Sequence, residues 1–290
     1  MVHGLEKFKA YFENHTSQYV FIGGTACDIL MDELGAQFRA TKDLDIVLII
    51  EALDSSFGKT FWKFIEDGGY ENRQRGTGEN QFYRFTEPKD SSFPKMIELF
   101  SKLPNKFGLS FNGGLTPIHI DDSIVSLSAI LLNDDYYNLL PKGKSTVDGF
   151  SLIEIETVIL FKIKAWLDMK ERKEVGDDID TKNIKKHKND VFRLLANVSP
   201  ESRIEVSEEI QNDVMKFIEQ LKEDKPDLKN LGIRSASFDE MLEILSDIFL
   251  IEKKKKRTVP HDFLSKPIHF IKLSAYFICY VHIIMIKLCI

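Results

Sequence analysis

The sequence predicts an α+β fold: a mixed β-sheet flanked by helices over residues 1–150, then a helical bundle over 151–252, then a tail at 253–290 of uncertain structure. Three observations carry that division. Short β-branched and aromatic runs alternate with amphipathic stretches through the first half. From about Ser151 apolar residues recur at a period of about 3.6 in one segment after another. Finally, "KKKKR" at 253–257 opens a stretch whose composition breaks from everything before it.

Taken in order, "YVFIGG" is a β-rich run ending in glycines, and "TACDILMDELG" continues with Ala26, Ile29, Leu30 and Leu34 at helical spacing, closed by Gly35. This is strand, tight turn, helix. "LDIVLII" is a second strand. "SSFGKTFWKFIEDGGY" is a second helix, capped by Ser55 or Ser56 and ended by Gly68 and Gly69. "NQFYRFTE" and "KMIELFSK" form an antiparallel pair around a polar loop with Pro88 and Pro94, and "PIHID" adds a strand with His119. The second half holds "SLIEIETVILFKIKAWLDMKERKE", "IKKHKNDVFRLLANV" and "SEEIQNDVMKFIEQLKE" as helices, with "ERKEVGDDIDTKNIKKHK" a polar loop. "SFDEMLEILSDIFLIE" opens on a capping box, Ser237 with Glu240.

Composition narrows the function classes. A chain of 290 residues with 43% hydrophobic content buries a full core, and a net charge of −6 argues against a wholesale polyanion coat while leaving local basic clusters able to meet phosphate. Cys27, Cys279 and Cys289 show neither metal-ligand nor redox spacing, which fits a reducing cytoplasm. The opening "MVHGLEKFKAYFENH" has no apolar segment of the secretory kind. Between Lys272 and Lys287 the apolar stretch falls short of the ~20 residues a membrane span needs, so no membrane partner is expected.

The chemistry is concentrated in few places. Alternate strand residues share a face, so Asp43 and Asp45 present two carboxylates side by side, with Leu44 and Ile46 turned to the core. Such a pair repels itself unless a cation intervenes, and Mg²⁺ takes hard oxygen ligands of this kind together with substrate phosphates. The alternative is one capping and one solvated aspartate. Glu98 sits inside the apolar "KMIELF", where a lone carboxylate is expensive to bury; a cation shared with Asp43 and Asp45 resolves that cost. Gly23, Gly24 and Thr25 form a strand-to-helix turn whose backbone N–H groups make an anion site, or else simply a turn. Arg39 either contacts substrate or anchors the loop before the aspartates.

This combination resembles the nucleotidyltransferase superfamily of the polymerase-β type. "FIGGTACDIL" with "FRATKDLDIVL" looks most like the AbiEii/AbiGii toxins of bacterial abortive-infection and type IV toxin–antitoxin systems, and "LFKIKAW" and "KKHKND" extend the likeness over about residues 20–195. The resemblance implies a nucleotidyltransferase-like sheet, with Gly23, Gly24 and Thr25 on the nucleotide phosphates. It implies Asp43, Asp45 and Glu98 on the catalytic Mg²⁺ or Mn²⁺. Lys162, with Lys164 as its competitor, would face the triphosphate, and Lys186 and Asp190 would complete the site. The implied reaction moves an NMP from an NTP to an acceptor hydroxyl on RNA (a tRNA end) or protein, in a toxin with a cognate antitoxin. Lys182–Lys188 and Lys253–Arg257 are candidate RNA contacts. A nucleotide- or partner-binding module that has kept the fold without turnover is the alternative.

Overall fold

The computed structural model describes residues 2–36, 38–39, 41–49, 51–72, 82–100 and 133–250. The tail at 253–290, the basic run 253–257 and the His119 strand lie outside the described residues. Met1–Ile251 forms one compact unit. No described helix is long and apolar enough to cross a membrane.

The sheet is built from β1 (Tyr19–Phe21), β2 (Asp43–Leu48), β3 (Glu71–Asn72), β4 (Phe82–Thr86), β5 (Met96–Phe100), β6 (Lys144–Val147) and β7 (Phe150–Ile153). Their order across it is β3-β4-β5-β2-β1-β7-β6. The sheet is mixed, as the sequence predicts: β1 runs antiparallel to β2 but parallel to β7, and β2 runs parallel to β5. β4 and β5 form the expected antiparallel pair. Helices α1 (Leu5–Phe12), α2 (Gly23–Glu33) and α3 (Ser55–Gly68) come from the first half. Two short helices, α4 (Asp134–Tyr137) and α5 (Leu139–Lys142), precede β6; α6 (Ile155–Glu174), α7 (Thr181–Leu195), α8 (Glu208–Leu221) and α9 (Phe238–Phe249) follow β7. The fold is α+β.

Burial explains why β1, an interior strand, is so apolar. Tyr19, Val20 and Phe21 are all 0% exposed, because β1 has strands on both edges and aromatic residues against it. Phe8 stacks on Phe12 at 4.2 Å between ring centroids and meets Tyr19 edge-on at 5.2 Å, so α1 is fixed to the sheet by offset and T-shaped aromatic contacts. α6 carries the second apolar mass, with Trp166 fully buried edge-to-face on Phe217 of α8 at 5.0 Å.

Three local expectations need correction. Residues 151–153, read as the start of a helix, are instead the body of β7, which pairs with β6 as a hairpin. The reason lies in Asp148 and Gly149, both at positive φ (48° and 78°), a two-residue turn whose twist suits antiparallel strands. α3 is capped not by a serine but by Asp54, whose carboxylate accepts the N–H groups of Ser56 and Phe57 at 2.9 Å each. The polar loop shrinks to residues 175–180, because Asp180 caps α7 through Lys182 N–H and starts the helix there. The Ser237–Glu240 capping box is present as expected.

Candidate active site

Two walls make up the site, and the first is the sheet. Asp45 stands opposite Glu98 in the β2–β5 register, with Asp43 one pleat before it, so the three carboxylates share one face. On the other face Leu44 and Ile46 are 0% and 1% exposed. The carboxylates are crowded. Burial, and after it the charge of Asp45, pushes Glu98 up to about 8. Burial and then Asp43 raise Asp45, and burial raises Asp43 in spite of nearby Arg84 and Lys186.

The glycine turn is shaped around this wall. Gly23 sits at φ 59°, and a Cβ there would lie 2.2 Å from Asp45 Oδ2, so both backbone conformation and close approach demand glycine. Gly24 N–H donates to Asp45 Oδ2 at 3.3 Å. Thr25 is fully buried and its hydroxyl donates to the Asp43 carbonyl at 2.6 Å. That bond commits the Thr25 side chain to holding β2 against α2, so a phosphate contact from its hydroxyl is not what the geometry offers.

The second wall is helical and cationic. Asp190 on α7 is 0% exposed and is held by three cations: Arg39 through Nη2 at 3.1 Å, Lys162 Nζ at 3.2 Å and Arg193 Nη1 at 3.2 Å. Burial alone would raise Asp190; Lys162 and Arg39 outweigh it and hold the carboxyl below its ordinary value. Arg39 is therefore an anchor of this wall. Lys164, the competitor of Lys162, turns the other way to Asp213 at 2.8 Å and lies over the Tyr136 ring. Lys162 is instead on the side of the carboxylates, close enough to lower the proton affinity of Asp45. Lys186 forms no ion pair or hydrogen bond among the described residues; burial, then repulsion by Arg39 and Lys162, depresses its pKa. An ammonium so placed is short of an anion.

Three neighbours were not foreseen. Arg193 lies three residues after Asp190, a helical spacing visible in the sequence. Arg84 pairs with Glu98 across β4 and β5, which only the strand register reveals. His187 is 8% exposed with both ring nitrogens unpartnered, and burial followed by Lys162 pushes its pKa well below the ordinary value. Cys27 is buried nearby, its thiol pushed up by burial to about 12 and so kept from thiolate chemistry.

Among the described residues no group of three His, Cys, Asp or Glu is arranged so that it could hold a metal ion, so Asp43, Asp45 and Glu98 share a face without converging as three ligands of one cation. Glu98 is held by Arg84 and Asp45 by the Gly24 N–H. The donor chemistry nonetheless suits Mg²⁺ or Mn²⁺: hard oxygens on one face, their proton affinities raised first by burial and, for Asp45 and Glu98, then by a neighbouring carboxylate. This has a measurable consequence. Glu98 is raised from 4.5 to about 8, so its contribution to stability is full below pH 4.5 and is lost as pH climbs through 8. In EDTA the melting temperature should fall between those values, and Glu98→Gln should flatten the fall; equal slopes for the two proteins would contradict the assignment.

No protein-family model and no curated protein matches the chain. Among solved structures it is similar to an antigenic nucleotidyltransferase-like protein from Paracoccidioides brasiliensis, at 14% identity and a TM-score of 0.39, over 79% of this chain and 93% of that one. At that distance the functional reading rests on the site's own residues.

Proposed function

We propose that this chain is a metal-dependent nucleotidyltransferase that moves an NMP from an NTP to an acceptor hydroxyl on RNA or protein, as the toxin of a toxin–antitoxin or phage-defence system. The observation that carries the reading is the polarity of the site: Asp43, Asp45 and Glu98 on the sheet, with Lys162 and unpaired Lys186 near enough to act on the aspartates. A polyphosphate carrying a divalent cation has matching polarity, its metal toward the acids and its phosphate oxygens toward the lysines.

Asp43 and Asp45, with Glu98, would hold Mg²⁺ or Mn²⁺, which when bound supplies Lewis-acid stabilisation of charge on phosphoryl oxygens. Lys186, without a partner of its own, binds the triphosphate. Lys162 is aimed by Asp190, so its ammonium is in position before substrate arrives and needs little reorganisation. The acceptor hydroxyl gives its proton to water as its oxygen bonds to the α-phosphorus and the bond to the bridging oxygen breaks, and the departing pyrophosphate carries its charge toward Lys162 and Lys186. Gly23 and Gly24 serve this by letting α2 start against Asp45 without a side chain between them. The acceptor class, a cognate antitoxin and a cytoplasmic site of action follow from the sequence resemblance and belong to the same proposal.

A second reading, a binding module of this fold without turnover, is favoured by Arg84 on Glu98, which occupies one of the three carboxyl groups. One experiment separates the two. Purified protein is given each α-³²P NTP with total cell RNA and protein, in Mg²⁺, in Mn²⁺ and in EDTA. Label in a macromolecule with metal but not in EDTA is the expected result. No label with any nucleotide, alongside measurable nucleotide binding, would move the module reading to first place.

A further inference from the structure

Arg84, Glu98 and Asp45 form one row across three strands, since Arg84 faces Glu98 in the β4–β5 pair and Glu98 faces Asp45 in the β5–β2 pair. Arg84 Nη2 is ion-paired with Glu98 Oε1, and their side chains are only 15% and 7% exposed. The Nε of Arg84 is buried with no partner. A guanidinium carries five donors in a fixed fork, and a buried N–H left without an acceptor is a cost that native proteins usually avoid. The residue is thus satisfied in charge but not in hydrogen bonding. It also stands where a positive ion serving Asp45 and Glu98 would have to contend with it.

We propose that Arg84 is an exchangeable counter-ion, neutralising Glu98 while no metal is bound and passing to a phosphate oxygen when a metal-bearing polyphosphate enters, which frees Glu98 for the cation. The proposal rests on the nucleotidyltransferase reading only in taking a divalent cation and a polyphosphate as the ligands. Its physical basis is competition: a guanidinium and a divalent cation at one carboxylate repel each other, and the guanidinium fork suits phosphate as well as carboxylate. A divalent cation alone must displace Arg84 and so binds weakly. A polyphosphate draws Arg84 away and so favours the cation, and by linkage the cation favours the polyphosphate equally.

The test is binding, measured at pH 8.5 so that protons do not take the place of Arg84. Free Mn²⁺ is followed by electron paramagnetic resonance and magnesium pyrophosphate by calorimetry, for wild type and Arg84→Met. The expected pattern is opposite in sign: Mn²⁺ binds the variant roughly tenfold more tightly, and magnesium pyrophosphate roughly tenfold more weakly. Arg84→Lys, which keeps the charge without the fork, should lie between the two for Mn²⁺, and it serves as the reading if Arg84→Met does not fold. Unchanged Mn²⁺ affinity, or a loss for both ligands together as a purely structural residue gives, overturns the proposal. If Mn²⁺ binds wild type and variant equally while label transfer proceeds, the counter-ion idea fails and the nucleotidyltransferase reading stands; if Mn²⁺ binds neither, both fail.

Discussion

Asp45→Asn should lower label transfer by at least about a hundred- to a thousandfold, the scale seen when one charge-stabilising element is removed from a transition state. The fold should survive. Asn keeps the shape of Asp, so its amide oxygen can still accept the Gly24 N–H that Asp45 Oδ2 accepts at 3.3 Å, and its NH₂ can donate to Glu98 across the strand pair. The substitution removes one member of a crowded acidic face whose burial and mutual repulsion raise Asp45 and Glu98. In EDTA the variant should therefore melt at or above the wild-type temperature. Transfer rate and melting temperature are measured on the same preparation. A variant that labels its acceptor as fast as wild type would remove Asp45 from the chemistry.

Asp190→Asn should do the reverse and damage stability first. Asp190 has no exposure and answers three cations, one of which, the Lys162 side chain, is itself only 7% exposed. Breaking a buried ion pair by removing one partner costs about 3–5 kcal/mol, because the remaining charge is left desolvated and uncompensated. Here Arg39 and Arg193 are about one-third exposed and can turn to water, so most of the cost falls on Lys162. Urea denaturation gives the number. A loss under about 1 kcal/mol, the range of exposed pairs, would mean that the cluster is not what holds the cationic wall together.

How much of this was legible in the sequence depended on how local the signal was. Asp43 and Asp45 declare a shared face through strand alternation, and Glu98 declares itself as a charge among apolar neighbours; both need only a few residues of context. The choice between Lys162 and Lys164 does not. Two positions apart on a helix they point to different sides, and the sequence offers an acid for each: Asp190 on α7 took the first and Asp213 on α8 the second. Helix packing made that choice. Arg84 opposite Glu98 is a matter of strand register, fixed by cross-sheet pairing. The β6–β7 hairpin has a local signal too, since Asp-Gly is a strong turn dipeptide, but the long helical pattern after it competes for residues 151–153.

The bond from Arg39 to Asp190 spans 151 residues of sequence, and β1 lies between β2 and β7, a strand made more than a hundred residues later. A ribosome works from one end, and domains tend to fold as their units emerge. The growing chain carries Asp43, Asp45 and Glu98 while Lys162, Lys186 and Asp190 are still untranslated, so the acidic wall is made before the helical one. Under the proposed function, a nucleotide meets both walls of the site only after α7 has been made.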